Sequence, residues 1–256
     1  MKAIWTGSIG FGLVNIPIKM YSAVEESVLD LDMLDKKDHS HIKFKRVNEQ
    51  TGKEVAWENI VRGYSVNGRY VVVEKEDFEK ASPEKTKHIE ITQFVNEKDI
   101  DSVFFETPYY LEPEKTGTRA YSLLRDALHK SGKVGLGVFV MRNREHVCII
   151  KSKDDVIVLN RIRFSQEIRP VTDLKLPKSK SKPGELKMAI SLVNQLTKPF
   201  NIEKYKDEYS EKLLKIIKAK AKGKALPVTH MKVVHSSTRD LMEQLKASLS
   251  TKRKAS

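Results

Sequence analysis

The feature that most constrains this chain is a change of hydrophobic period at a proline-bracketed, lysine-rich stretch, residues 170–183. Before it, apolar residues come in short runs with period-two character, broken by turn residues. After it, they recur every three or four positions, the spacing of one helix face. A chain of this kind is mainly β at the front and helical at the back.

In the front part, Phe11-Gly12-Leu13-Val14-Asn15-Ile16-Pro17-Ile18 predicts one strand. Asn67-Gly68 precedes Tyr70-Val71-Val72-Val73, which signals a hairpin. His88-Ile89-Glu90-Ile91-Thr92 alternates. Val103-Phe104-Phe105 and Tyr109-Tyr110-Leu111 flank Pro108 and suit an edge or a bend. Runs at 136–141, 147–150 and 156–159 are separated by the turns Arg142-Asn143-Arg144 and Lys153-Asp154-Asp155. Sequential antiparallel strands of this sort favour a barrel or a sandwich. One helix interrupts them, on Ala120, Leu123, Leu124, Ala127 and Leu128, with Thr116 or Thr118 as cap and Gly132 after its end.

Past Pro183, Leu186, Ala189, Ile190, Val193 and Leu196 make one stripe, ended by Pro199. Tyr205, Tyr209, Leu213, Ile216 and Ile217 make a second. A short third helix begins near Ser237, with Asp240 three residues on as in a capping box, and carries Leu241, Met242, Leu245 and Leu249. The domain reading is therefore 1–170, 171–230 and 231–256. No repeat of 20–50 residues is evident.

Charge narrows the partners. The net charge is +13. Residues 1–170 hold 27 of the 47 Lys/Arg and 26 of the 34 Asp/Glu, so the excess sits almost wholly in the back. A basic balance points to a polyanion, and a neutral front can still bind one if its charges lie on opposite faces.

No constellation for catalysis emerges. The chain lacks a phosphate-loop motif, and Gly7-Ser8-Ile9-Gly10-Phe11-Gly12 lacks the dinucleotide spacing, so strand packing and a bend explain it better. His39 and His41 come with no CxxC pair or carboxylate cluster, so they read as a solvated loop and no metal or other cofactor is expected. Asp30 with Asp32 and Glu25-Glu26 are surface pairs without a basic catalytic partner nearby in sequence. The two Trp and eight Tyr do not alternate with basic residues as a single-strand stacking platform would. Cys148, the one cysteine, lies in an apolar run, reads as a buried small hydrophobe, and fits a reducing cytoplasm. The N-terminal apolar stretch is broken by Gly, Ser, Asn and Pro and reads as strand rather than signal peptide, and no run is long enough to span a membrane.

The run from Trp5 to Tyr21, with Gly63-Tyr64, Gly68-Arg69-Tyr70-Val71-Val72-Val73, Ile89-Glu90-Ile91, Phe94-Val95, Tyr110-Leu111-Glu112-Pro113, Ala120-Tyr121-Ser122-Leu123-Leu124, Arg142 to Glu145, Glu167-Ile168-Arg169-Pro170 and Asp240 to Leu249, resembles the bacterial Ku family from end to end and in order. The resemblance implies a mixed, mainly β fold: an antiparallel β-barrel with an inserted helix, a bridging region and a C-terminal helical arm. It implies a ring-shaped homodimer without catalytic activity that encircles double-stranded DNA ends in non-homologous end joining. It also implies an ATP-dependent multifunctional DNA ligase as partner and a place in the cytoplasm at the nucleoid. Two departures stand out. The long lysine-rich tail of many members is reduced here to Thr251-Lys252-Arg253-Lys254-Ala255-Ser256, and Asn48-Glu49-Gln50-Thr51 replaces the cysteine pair that some members carry.

An end binder that accepts any sequence should contact phosphates rather than base edges. The resemblance places Lys43-Phe44-Lys45-Arg46 in the bridge, on an extended ribbon, with Lys36, Lys37, Lys53 and Arg62 flanking it and Lys80 after the next strand. These are the expected DNA contacts. Leu192, Leu196, Phe200, Tyr205, Tyr209, Leu213 and Ile216 are the expected dimer contacts, and Arg239, Leu241, Met242, Leu245 and Leu249 the expected ligase contacts. Two other readings compete: a basic barrel that binds RNA or single strands, and a lyase at abasic sites using Lys2 as Schiff-base nucleophile.

Overall fold

The computed structural model describes residues 1–25, 29–82, 87–178, 181–223, 244, 245 and 248. Seven strands close a barrel in the order β1 (Trp5–Phe11), β2 (Val14–Ser22), β6 (Phe105–Pro113), β9 (Val156–Ile162), β8 (Arg144–Lys153), β7 (Lys133–Met141) and β5 (His88–Asn96). A separate two-stranded sheet pairs β3 (Arg62–Val66) with β4 (Arg69–Val73). The helices are α1 (Lys75–Ala81), α2 (Thr118–Ser131), α3 (Pro183–Leu196) and α4 (Glu208–Ala221).

The barrel is antiparallel at every seam but one. β1 and β5 pair in parallel, Ser8 opposite His88 and Gly10 opposite Glu90. This seam accounts for the glycine-rich run. A Cβ on Gly7 would lie 2.3 Å from the Lys87 carbonyl oxygen, and one on Gly10 would lie 2.0 Å from the His88 ring. The glycines let two strands meet. The apolar run from Phe11 to Ile18 is not one strand. Gly12, at φ +57°, turns the chain there, and the run splits between β1 and β2. Pro108 sits within β6 rather than at an edge, at the place where the β6–β9 register shifts, so the ladder accommodates its missing N–H.

The core is mainly aliphatic. Ile9, Ile16, Ile18, Met20, Ile89, Leu111, Ile150, Ile157 and Leu159 are fully buried, with Phe139 and Cys148 among them. Burial pushes the Cys148 thiol far up, which leaves it inert as a nucleophile. α2 adds Tyr121, Leu124 and Leu128 to this core. Its anchor is the Tyr121 phenol, which donates to the Leu111 carbonyl at 2.6 Å and accepts from the Ile157 N–H at 2.7 Å. One side chain thus ties the helix to β6 and β9. Gly117, not a threonine, stands at its N-cap, and Gly132 ends it in the left-handed region at φ +62°.

A short helix absent from the sequence reading, α1, follows β4. Its seven residues are too few to show a period, but Glu74 and Asp77 form a capping box at its start.

Residues 1–25 and 31–170 belong to one compact unit, and residues 29–30 group with those after 170 in a second. In the second unit, Asp207 caps α4 by accepting from the Ser210 N–H at 3.0 Å. Tyr205 precedes that helix, outside the stripe assigned to it. None of the described helical residues in α3 or α4 is fully buried.

Candidate nucleic-acid interface

Between β2 and β5 the chain leaves the barrel and builds the region that holds the expected phosphate contacts, residues 31–82. Not one of these described residues is buried. The expected ribbon is sparser than a strand. Leu34 bridges His41, and Val47 bridges Glu54, with no continuous ladder between. Local side-chain hydrogen bonds do the shaping. Asp35 accepts from the Lys37 N–H at 2.8 Å, Asp38 from the Ser40 N–H at 2.9 Å, and Asn48 from the N–H groups of Gln50 and Thr51, both at 3.0 Å. The hydrogen bonds from Ser40 hold the Asp38 carboxyl below its ordinary value. Asn67-Gly68, at φ +50° and +79°, closes β3–β4 as a two-residue hairpin.

Ten Lys/Arg and ten Asp/Glu fall in residues 31–82, so the region carries no net charge. The two signs are used differently. Asp35, Asp38 and Asp77 hold turns and a helix start, and Glu54 and Glu79 pair with Lys45 (2.7 Å) and Lys75 (3.8 Å). Among the described residues, Lys36, Lys37, Lys43, Arg46, Lys53, Arg62 and Lys80 make no ion pair. Their charge is available to an incoming anion. Lys45 is the exception among the expected contacts, because Glu54 neutralises it in place.

Two of the arginines are pre-set. The Arg46 guanidinium lies 4.5 Å from the centre of the Trp57 ring, and that of Arg62 lies 5.3 Å from the Phe78 ring. Stacking holds each fork flat while leaving N–H edges free for phosphate oxygens. The same surface exposes Phe44, Trp57, Tyr64 and Tyr70, with Trp57 at 68% and Tyr70 at 81%. Sequence reasoning passed over these aromatics and over Arg69, because they look like ordinary alternating strand residues.

The remaining expected sites fare variously. Phe200, Tyr205 and Tyr209 are exposed, as are Leu196 and Ile216 to a lesser degree, whereas Leu192 and Leu213 are half-buried. Leu245 is half-buried and helical, and Arg239, Leu241, Met242 and Leu249 lie outside the described residues. Lys2 is exposed at the N-terminus. Among the described residues no cluster of His, Cys, Asp or Glu could hold a metal, and no helix is long and apolar enough to cross a membrane.

A closed barrel with a core complete in itself, carrying an unburied, cation-bearing extension, defines a class of barrel-centred proteins. Comparison with known proteins then gives the family. The family model described as "Ku70/Ku80 beta-barrel domain" matches residues 10–188. The chain is 38% identical to the non-homologous end joining protein Ku of Coxiella burnetii, over 99% of this chain and 96% of that one. It is 35% identical to the Ku protein of Archaeoglobus fulgidus (97% and 98%) and 37% identical to that of Bacillus subtilis (99% and 83%). The chain belongs to the Ku family.

Proposed function

We propose that this protein binds the ends of double-stranded DNA without regard to sequence, as a ring-shaped homodimer, in non-homologous end joining. The observation that carries the reading is residues 31–82: an extension with unpaired lysines and arginines, no buried side chain, and acids of which Asp35, Asp38 and Asp77 hold turns or a helix start and Glu54 and Glu79 sit in ion pairs. Such a surface suits the phosphate backbone and offers little to read base edges. The names of the relatives point the same way. The homodimer would bury the exposed aromatics of the second unit, Phe200, Tyr205 and Tyr209, since aromatics are enriched at interfaces.

A ring predicts a topological preference. Linear duplex should compete for the protein in a gel-shift experiment, and covalently closed circles of the same sequence should compete poorly. Equal competition by circles would sink the ring. Preference for RNA or single strands over duplex would instead favour the reading as a basic barrel for those ligands.

The ligase partner belongs to the same proposal. Leu241, Met242, Leu245 and Leu249 with Arg239 would enter a groove on an ATP-dependent ligase as an amphipathic helix. Leu241→Ala with Leu245→Ala should then abolish stimulation of ligation and leave end binding intact.

A further inference from the structure

The extension carries no net charge as a whole, so it can hold a polyanion only where its cations are concentrated. One such place is a groove of about 920 Å³, where the turn between β7 and β8 meets the extension. Arg62, Lys75, Arg142 and Arg144 line it against the one acid Glu74. Among the described residues, Arg62, Arg142 and Arg144 pair with no carboxylate. Glu145 follows Arg144 on β8, so the two point to opposite sides of the strand, and Glu145 does not line the groove.

The walls serve these cations. Trp57 and Phe78 line the groove, and each backs a guanidinium: Arg46 at 4.5 Å from the Trp57 ring centre, Arg62 at 5.3 Å from that of Phe78. Ile60, Val61, Val72 and Val73 complete an apolar wall. A cleft of one charge sign with low-dielectric walls focuses its field on whatever anion enters. The volume lies in the range of sites for small ligands. A duplex is too large to enter, whereas a short stretch of one strand's sugar-phosphate backbone is not.

The turn itself is built against local preference. Arg142 and Asn143 sit at φ +52° and +65°, the two central places of a hairpin turn that favours Asn-Gly. The other non-glycine residues at positive φ are His39, Asn67 and Asp154, so among the described residues Arg142 alone brings a permanent positive charge to that region. Asparagine or glycine would serve the fold better there. Backbone strain of this kind persists where a side chain is needed for something else. What the arginine adds is a second long cation beside Arg144 in the groove.

We infer that the β7–β8 turn is a phosphate contact of the barrel's own: Arg142 and Arg144 hold phosphates of one duplex strand whose backbone lies in this groove, with Arg62 on the extension side. The inference rests on the end-binding reading and carries the grip from the extension onto the barrel. Because the contact is to phosphates alone, it reads neither the base sequence nor the shape of the end.

The test uses the full-length protein and a blunt linear duplex, with affinity measured by fluorescence anisotropy across a series of salt concentrations. Arg142→Asn with Arg144→Gln should reduce the slope of log affinity against log salt by roughly 1.8, about 0.9 for each phosphate released. Asparagine suits the turn, so the melting temperature should hold or rise, which separates lost contact from a damaged fold. Arg142→Lys with Arg144→Lys keeps the charge and should keep most of the slope. A control pair on α2, Arg119→Gln with Lys130→Gln, removes the same charge from exposed positions outside the groove and should leave the slope near that of the wild type. A turn variant with the wild-type slope would overturn the inference, and so would a control pair that lowers the slope as much, since net charge rather than contact would then be responsible. If covalently closed circles compete as well as linear duplex while the turn variant still loses its slope, the end-binding reading fails and the phosphate contact stands.

Discussion

The barrel and its extension, residues 31–82, are parts of one unit made of similar amino acids, and they solve opposite problems. In the barrel, consecutive residues such as Cys148, Ile149 and Ile150, or Ile157, Val158 and Leu159, are buried, so the wall is covered on both faces there. In the extension, β3 exposes all five of its residues and β4 all but Val73, although Tyr64, Val66, Tyr70, Val71 and Val72 are as apolar as barrel residues. A two-stranded hairpin is marginal by itself. The barrel is stable through what it buries, whereas the extension leaves its apolar and charged side chains open.

That contrast can be broken most easily at the core. Phe139→Ala should cost about 3–5 kcal/mol, the usual range for a buried aromatic. That lowers the melting temperature by roughly 6–20 °C at about 2–4 °C per kcal/mol. Tyr70→Ala in the extension should move it by a degree or two at most. Equal effects at the two sites, measured by calorimetry on the free protein, would mean that the extension is a second core.

A smaller effect sharpens the picture inside the barrel. Tyr121→Phe removes the hydroxyl that joins α2 to β6 and β9 and leaves a buried carbonyl and a buried N–H short of a partner. The expected cost is about 1–3 kcal/mol. No measurable destabilisation would show that α2 is held by its leucines alone.

Acid should act on the barrel in two stages. Burial holds His146 below its ordinary value of 6.5, so its contribution is complete above that pH and is lost as pH falls through its folded value. The hydrogen bonds from Arg161, at 2.5 and 2.8 Å, hold the Glu106 carboxyl below its ordinary value of 4.5. Its contribution is complete above pH 4.5 and disappears as pH falls further. Glu106 is a third exposed, so solvent limits the second stage to about 1 kcal/mol. Melting temperatures of Glu106→Gln across pH 3–8 should lack that second stage and keep the first.

The smallest effect belongs to the extension. The Lys45–Glu54 pair is exposed. Glu54→Gln should therefore change stability by about 0.5 kcal/mol or less. It releases Lys45, so duplex binding should tighten slightly. Weaker binding would show that Glu54 does more than neutralise a lysine.

The contrast also explains what the sequence made legible. Buried elements announce themselves, because burial imposes a period. Ile89 and Ile91 in the strand at His88–Asn96 and Leu124 and Leu128 in α2 follow it, although Leu123 of the same spacing is exposed, whereas the strand at Arg144–Lys153 is legible as a continuous apolar run. The parallel β1–β5 seam does not, because pairing between strands so distant in the chain leaves no local trace beyond the small residues Gly7 and Gly10. The cationic positions were readable as residue types, whereas their pairing was not. Nothing in the order of residues separates Lys45, neutralised by Glu54, from Lys43 close beside it. Arg142 and Arg144 looked like turn residues because the groove they line is assembled from segments widely separated in the sequence.

The central claim is that phosphate binding resides in the unpaired cations of the extension, and the salt dependence of duplex binding tests it most directly. Lys43→Glu, Arg46→Glu and Arg62→Glu together should leave the melting temperature nearly unchanged. The slope of log affinity against log salt for a linear duplex should fall by roughly 0.9 for each phosphate no longer neutralised. A slope equal to that of the wild type would contradict the account and place the DNA contacts elsewhere on the molecule.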